Sequence, residues 1–411
     1  MNLNIVHIDL NSCFATSMQQ AYFHLRGKPV VAAAYETDRG CVLSPSIEAK
    51  TYGIKTGMRV FEARKLCPNL IVRMTETGLV RDIHLKFKKI CQEYTPLVSP
   101  LSIDEMVLNF SPVGKIQEKT LVELGREIKQ RIKYEIGDWM RCNVGISLSR
   151  FLAKVAAGLH KPDGLDVIAK RDIPEIFKSL TLIDLPGINI RYQARLNAAD
   201  IFTPLDLYQA SALKLKKQAF RSINGYYWYA RMRGIEVDGV DWQRKSYGQD
   251  YALQKKTDDP KEIEKLLMKL CEKMGRRLRR AGYGAQGIHV GCLYADHTYW
   301  NHGRKLSHVM YTTKDLFSEA LRNLKEQTEK KVLIKLMVRC FDLLPGVSSQ
   351  ISLFDRENKQ GKVADALDIL NDKYGEFTVV PALMMDMNDT VLDRIAFGNV
   401  RELNHVHVGI Q

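Results

Sequence analysis

The feature that most constrains how this chain can fold is an alternation running through its first 165 residues. Short apolar runs of strand length alternate with longer runs in which apolar residues recur every three or four positions. Residues 3–9 read as a buried strand that ends in an acid, Asp9, and residues 15–26 read as a helix. Residues 29–34 and 40–44 read as strands around a polar turn, followed by short helices at 46–52 and 60–66 with breaks at Gly53 and Gly57. Leu79, Ile83, Leu85, Phe87 and Ile90 give 78–94 a helical period. Two strand-like runs, 97–103 and 106–110, meet at Asp104 and Glu105. An amphipathic helix (117–135), a strand (141–148) and a helix (149–160) complete the series. The order βαββαββαβα predicts an α/β (α+β) domain with a mixed or antiparallel sheet.

The remainder is organised differently. Residues 172–235 read as short helices punctuated by Pro186, Gly187, Pro204 and Gly225, and 236–247 as a polar linker. A basic helix at 260–280, strands at 284–296, 306–312 and 331–342, and a helix at 313–330 suggest a small β-α-β-β-α-β unit. Residues 345–363 read as a flexible connector, and 364–411 carry one helix without a core of their own. At roughly 100–200 residues per domain, 411 residues predict a multidomain protein.

Charge narrows the partners. The chain carries a net charge of +14 with a pI near 9.3. Between Arg244 and Pro345 there are 21 Lys and Arg against 12 Asp and Glu, so +9 of that excess falls in a quarter of the sequence. Such a concentrated stripe favours phosphate contact over a merely solvated surface. The eight cysteines form no CxxC pair, which argues against a zinc ribbon or a thioredoxin motif and suits a reducing cytosol. The N-terminus lacks a signal-peptide pattern, and no run approaches the ~20 apolar residues that span a bilayer. A soluble cytoplasmic monomer without membrane contact is the expectation.

Three acids stand out: Asp9, Asp104 and Glu105. Adjacent acids behind apolar strands are costly to bury without water or a cation. Two Mg²⁺ ions, which prefer oxygen ligands and share their shells with phosphates, would resolve that cost. The competing reading makes Asp104-Glu105 a solvated turn and Asp9 a helix cap.

The surrounding residues decide between them. His7-Ile8-Asp9-Leu10-Asn11-Ser12-Cys13-Phe14-Ala15, Leu101-Ser102-Ile103-Asp104-Glu105, and Val144-Gly145-Ile146-Ser147 followed by Phe151-Leu152-Ala153-Lys154 and His160-Lys161-Pro162-Asp163-Gly164 resemble, in order and spacing, the three motif blocks of Y-family translesion DNA polymerases. Asn11 and the tail after 355 resemble the UmuC-like branch more than the DNA polymerase IV branch. The resemblance implies a right-hand architecture: a palm (1–21 and 78–167), fingers (22–77), a helix-hairpin-helix thumb (168–240), a little finger DNA-binding domain (244–345), and a clamp-binding connector and tail (346–411).

By position, the resemblance makes Asp9, Asp104, Glu105 and the carbonyl of Leu10 ligands of two Mg²⁺, with Asp104 and Glu105 catalytic. It makes Phe14 the steric gate beneath the incoming sugar, and Lys50 and Lys161 contacts to the triphosphate. Ser46-Ile47-Glu48-Ala49-Lys50 departs from the family's Tyr-Glu-Ala-Arg: Lys50 keeps the charge but loses bidentate geometry, and Ile47 loses a hydroxyl. Leu185-Pro186-Gly187-Ile188 matches the thumb hairpin, with Gly187 at the phosphate, although Asn189 replaces a second glycine. Arg276, Arg277, Arg279 and Arg280 fall where the little finger grips the DNA backbone. Gln350-Ile351-Ser352-Leu353-Phe354 resembles a bacterial sliding-clamp-binding peptide, with Gln350, Leu353 and Phe354 as anchors.

The implied function is low-fidelity, template-directed DNA synthesis past lesions, within DNA repair and the SOS response. Its partners would be primer-template DNA, deoxynucleoside triphosphates, a sliding clamp and an accessory protein on the tail. Two other readings stay open at this point: a palm-fold cyclase using similar acids, and a non-catalytic DNA- or clamp-binding factor derived from a polymerase.

Overall fold

A computed structural model of the protein describes residues 3–113, 117–239, 244–327, 330–346, 355–387 and 390–391. The chain divides into two compact units, one built from Met1–Val240 and the other from Asp241–Asp393.

The first unit centres on a five-stranded sheet. Its strands are β1 (Ile5–Leu10), β5 (Val98–Pro100), β6 (Glu105–Asn109), β7 (Cys142–Ser147) and β8 (Leu165–Ile168), in the order β5-β6-β1-β7-β8. All neighbours are antiparallel except β7 and β8, so the sheet is mixed, as expected. Alternation along β1 does the positioning. Val6, Ile8 and Leu10 enter a core with Ile83, Phe87 and Ile90 of helix α4 (Thr77–Gln92) and with Leu121 and Ile128 of α5 (Glu118–Arg131). Ile5, His7 and Asp9 therefore take the opposite face, where Ile5 packs on Val107 and on Ala153 of α6 (Arg150–Leu159). Helix α6 can lie that close because position 145 on β7 is glycine. A Cβ there would sit 2.0 Å from the Ala153 carbonyl oxygen and 2.3 Å from the Ala157 amide.

A second sheet is formed by β2 (Val30–Ala33), β3 (Val42–Pro45) and β4 (Ile71–Met74), in the order β3-β2-β4. With α2 (Ile47–Thr51) and α3 (Val60–Leu66) it encloses its own core around Val31, Val42, Ile54, Val60 and Ala63. The sequence pattern did not reveal β4 or β8, each only four residues long. Helix α1 (Cys13–Ala21) joins the two sheets through Phe14 and Met18, which pack with Leu25, Val30, Ala32, Val80 and Ile103. Residues 173–232 form α7 (Ile173–Ser179), α8 (Ile190–Asn197), α9 (Pro204–Gln209), α10 (Ala212–Lys214) and α11 (Asn224–Met232), around Phe177, Leu196, Leu207, Phe220 and Trp228.

The second unit is the expected β-α-β-β-α-β arrangement. It comprises β9 (Ser246–Thr257), α12 (Pro260–Arg280), β10 (Tyr283–Tyr294), β11 (Tyr299–Met310), α13 (Thr313–Leu324) and β12 (Leu333–Pro345), in the sheet order β11-β10-β12-β9. Strand β9 begins within the stretch expected to be linker, because register with β12 pairs Tyr247 with Cys340 and carries Tyr247 into the core. Leu267, Leu270, Met274 and Leu278 of α12 cover one face of the sheet, against Ile288, Val290, Leu336 and Val338. Alternate residues, among them His289, Asn301, Met337 and Arg339, take the other face.

A last helix, α14 (Asp355–Tyr374), corrects the expectation of a flexible connector: residues 355–363 are helical. Among the described residues no helix is long and apolar enough to cross a membrane.

Candidate active site

The chain leaves β1 abruptly. Ser12 takes a left-handed conformation (φ 51°), and Thr16 Oγ1 donates to the Asn11 carbonyl at 2.8 Å. This turn carries Asn11, Ser12 and Cys13 into the wall of a cavity of about 630 Å³. Asp9, Leu10, Ser102, Asp104, Glu105, Lys161, Ile47, Lys50, Thr51 and Thr56 also line it. A space of several hundred cubic ångströms suits a nucleotide-sized ligand.

The acids come together through strand register. Asp9 lies directly opposite Glu105 in the β1–β6 pair, and the Leu10 amide donates to the Asp104 carbonyl at 2.9 Å. Side chains opposite one another in an antiparallel pair share a face, so Asp9 and Glu105 point together toward α6. Asp104 accepts from Ser102 Oγ at 2.6 Å. Burial pushes the Asp104 carboxyl up to about 6, and the charges of Asp9 and Glu105 add to that rise.

Two lysines face these acids. Lys154 Nζ, from α6, donates to both oxygens of Glu105 at 2.9 and 2.8 Å, and Lys161 Nζ donates to Asp9 Oδ2. Lys50 lies at the cavity from α2. Partial enclosure, then the nearby Lys161 ammonium, hold its pKa below the usual lysine range. With Glu105 and Asp9 turned to these ammonium groups, no group of three or more His, Cys, Asp or Glu residues closes on one point among the described residues. The donor set still fits a hard divalent cation. It consists of three carboxylates with a backbone carbonyl beside them, and Asp104 is burdened by like charge that a cation would relieve.

The loop bearing Lys161 is held by two buried amides. Asn11 Nδ2 donates to Asn143 Oδ1 at 2.8 Å, Asn143 Nδ2 donates to the His160 carbonyl at 3.0 Å, and the Asp163 amide donates to Asn11 Oδ1 at 2.8 Å. Lys129 and Lys133 hold the same loop through the Asp163 carboxylate, at 3.2 and 3.1 Å. His7, fully buried, has a pKa depressed to about 3 by that burial. It is a neutral ring 3.9 Å from Glu105, and neither ring nitrogen has a hydrogen-bond partner.

Comparison with known proteins identifies this geometry. Residues 8–158 match the impB/mucB/samB family, and residues 244–353 match the C-terminal domain of that family. A protein of Moorella thermoacetica named DNA polymerase IV is 33% identical over 389 residues, covering 93% of this chain and 96% of that protein. The chain belongs to the Y family of DNA polymerases. A Bacillus anthracis relative, also named DNA polymerase IV, is 30% identical over 381 residues, 90% of this chain and 91% of its own. The fold agrees. A Y-family polymerase chimera built on Dbh superposes with a TM-score of 0.73 at 22% identity, covering 83% of this chain and 99% of that one. An insertion ternary complex of Dbh DNA polymerase superposes at 0.59, with the same identity and coverage.

The structure brings Asp9, Leu10, Asp104, Glu105, Lys50 and Lys161 of this polymerase to one cavity, but it treats other expected site residues differently. Phe14 is only 1% exposed, within the core between α1 and the second sheet, and it does not line the cavity; its neighbour Cys13 does. Gly187 adopts φ 94°, as a tight hairpin requires. Asn189 Oδ1 caps α8 by accepting from the amides of Arg191 and Tyr192, so those two donors are already occupied.

The arginines of α12 need the largest correction. Arg276 and Arg279 are 6% and 7% exposed and pair with Asp372 and Asp368 of α14. Arg280 also meets Asp372, and Arg277 donates to the Gly248 carbonyl at 2.9 Å. The physical reason lies some 90 residues away in sequence: Asp368 and Asp372 of α14 fold back onto three of these arginines. Gln350, Leu353 and Phe354 lie outside the described residues.

Sequence reasoning missed Lys154 and Asn143 as site residues. Each left a trace: Lys154 is a lone cation within the apolar stretch of α6, and Asn143 is a lone amide in an apolar strand.

Proposed function

We propose that this polymerase copies damaged templates at low fidelity, adding deoxynucleotides to a primer 3′-hydroxyl as part of the SOS response. One observation carries the reading. Asp9 and Glu105 face each other across β1 and β6, beside Asp104, at a nucleotide-sized cavity that also presents Lys50 and Lys161.

Two Mg²⁺ ions held by Asp9, Asp104, Glu105 and the Leu10 carbonyl would supply activation of the attacking hydroxyl and neutralisation of the leaving pyrophosphate. The chain's own groups do the rest. Lys161 and Lys50 exchange carboxylate and cavity for triphosphate oxygens, to which a compact ammonium is suited. Lys154 holds Glu105 in place. The Asn11–Asn143 pair keeps Lys161 over the acids. Phe14 acts from behind the wall, fixing the α1 turn on which the sugar rests.

In this reading residues 1–21 and 78–167 are the palm, 22–77 the fingers, 168–240 the thumb and 244–345 the little finger. In the little finger, the sheet face that carries His289, Asn301 and Arg339 meets DNA. Residues 346–411 contact a sliding clamp and an accessory protein, and the enzyme works as a cytoplasmic monomer. Primer extension with Mg²⁺, comparing the wild type with Asp104→Ala, tests the proposal; no extension by the wild type would sink it.

A further inference from the structure

Helix α12 has two faces of opposite character. One enters the sheet core through Leu267, Leu270, Met274 and Leu278. The other carries Lys269, Lys273, Arg276 and Arg280, with Arg279 beside them, at intervals of three and four residues. The chain's own C-terminal segment covers this cationic face. Arg279 Nε and Nη2 donate to the two oxygens of Asp368 at 2.6 and 2.9 Å. Arg276 Nη2 donates to Asp372 at 2.8 Å, and its guanidinium also lies 3.5 Å from Asp368 and 3.6 Å from Glu376. Arg280 pairs with the same Asp372. The Lys269 and Lys273 ammonium groups sit 4.9 and 5.6 Å from the centre of the Phe377 ring.

Two details distinguish this cover from an ordinary packed helix. A helix docked for stability buries its apolar stripe. Helix α14 instead docks through acids and leaves Val363, Ile369 and Tyr374 at 56%, 67% and 62% exposure. The docking is also incomplete, since buried Nε and Nη1 of Arg276 have no hydrogen-bond partner. Downstream, Met387 and Val391 sit in the core of this unit, and their carbonyls accept from Lys269 and Lys273; the segment stays tethered there, while α14, held to α12 by carboxylates, is the part exchangeable for another polyanion.

The dimensions suit a nucleic-acid strand. From Lys269 to Arg280 the helix rises about 16 Å at 1.5 Å per residue, roughly the rise of five phosphates along one strand of a duplex. Asp365, Asp368 and Asp372 repeat every ~4.5–6 Å by the same rise, a spacing of the same order as that of phosphates.

We propose that the cationic face of α12 is a second surface for the phosphates of duplex DNA, and that α14 occupies it as an internal competitor. The choice of DNA rests on the polymerase reading. The masking itself rests only on the contacts above.

The test is duplex binding by fluorescence anisotropy across a salt series, on the full chain and on Asp368→Asn with Asp372→Asn. Each phosphate newly neutralised adds about 0.9 to the slope of log affinity against log salt. Freeing Arg276, Arg279 and Arg280 should therefore steepen the slope by about 2.7, about a fortyfold larger loss of affinity over a fourfold rise in salt. A chain ending at residue 354, which also frees Lys269 and Lys273 from the Met387 and Val391 carbonyls, should steepen the slope further. Adding Arg276→Gln, Arg279→Gln and Arg280→Gln to either variant should remove the gain. An unchanged slope in the doubly substituted chain overturns the proposal, whether or not the shortened chain folds. A gain that survives loss of the arginines overturns it as well. Primer extension by the unaltered chain reports separately on the polymerase reading and does not enter the slope.

Discussion

Asp104 is held where its charge is unwelcome, and that has a measurable consequence. Its carboxyl titrates near 6 instead of 3.8, because burial and two neighbouring acids penalise the anion. At 1.36 kcal/mol per unit, the ionised side chain costs the metal-free fold about 3 kcal/mol. Asp104→Asn removes the charge and keeps an oxygen for the Ser102 hydroxyl. In EDTA at pH 7.5 it should be more stable than the wild type by up to that amount, raising the unfolding midpoint of this unit by about 6–12 °C. The direction with pH follows from linkage. Above pH 6 the carboxylate is charged in both folded and unfolded chains, and the fold carries the full penalty. Below about 4 it is protonated in both, and the penalty vanishes. The advantage of the Asp104→Asn variant should therefore shrink as pH falls from 6 to 4. Thermal unfolding followed by circular dichroism at pH 7.5, 6, 5 and 4 reads this directly, and Mg²⁺ should raise the wild-type midpoint more than that of the variant. A variant no more stable than the wild type at pH 7.5, or an advantage that persists at pH 4, refutes the crowded-acid account of the site.

The other predictions concern how the site is supported. Asn143→Ala removes the hydrogen bonds to Asn11 and the His160 carbonyl. It should raise KM for the incoming nucleotide by about tenfold, as expected for about 1–1.5 kcal/mol of lost positioning, with a smaller change in kcat; steady-state primer extension separates the two, and an unchanged KM removes the positioning role. Phe14→Ala empties a core site, so it should cost about 3–5 kcal/mol of stability and relax discrimination against ribonucleotides; unaltered sugar selection in single-nucleotide insertion assays would assign Phe14 to packing alone. Lys161→Ala should weaken nucleotide binding more than DNA binding, and equal losses in titrations of the two ligands would contradict its place at the triphosphate. Leu353→Ala with Phe354→Ala should abolish binding to a sliding clamp measured by surface plasmon resonance, and undiminished affinity would remove the motif.

What the sequence determined by itself is local. Alternation along residues 5–10 sets Val6, Ile8 and Leu10 on one face and Asp9 on the other, and that pattern is readable without a structure because a strand's side-chain period is two. The helical period of 78–94 and the unit following Arg244 were legible for the same reason. So were the acids, because carboxylates behind apolar strands need a cation or water whatever surrounds them.

Tertiary structure decided what depends on distant partners. Strand register, not spacing, placed Glu105 opposite Asp9, and the packing of α6 on the sheet brought Lys154 to Glu105. The burial of Phe14 came from the second sheet closing over α1. The arginines of α12 looked free to grip DNA because a helix announces its own charges but not the acids that fold back on them from some 90 residues further along the chain. Periodicity is a property of neighbouring residues, whereas burial and charge pairing belong to residues that only folding brings together, and those decide which side chains remain available to a substrate.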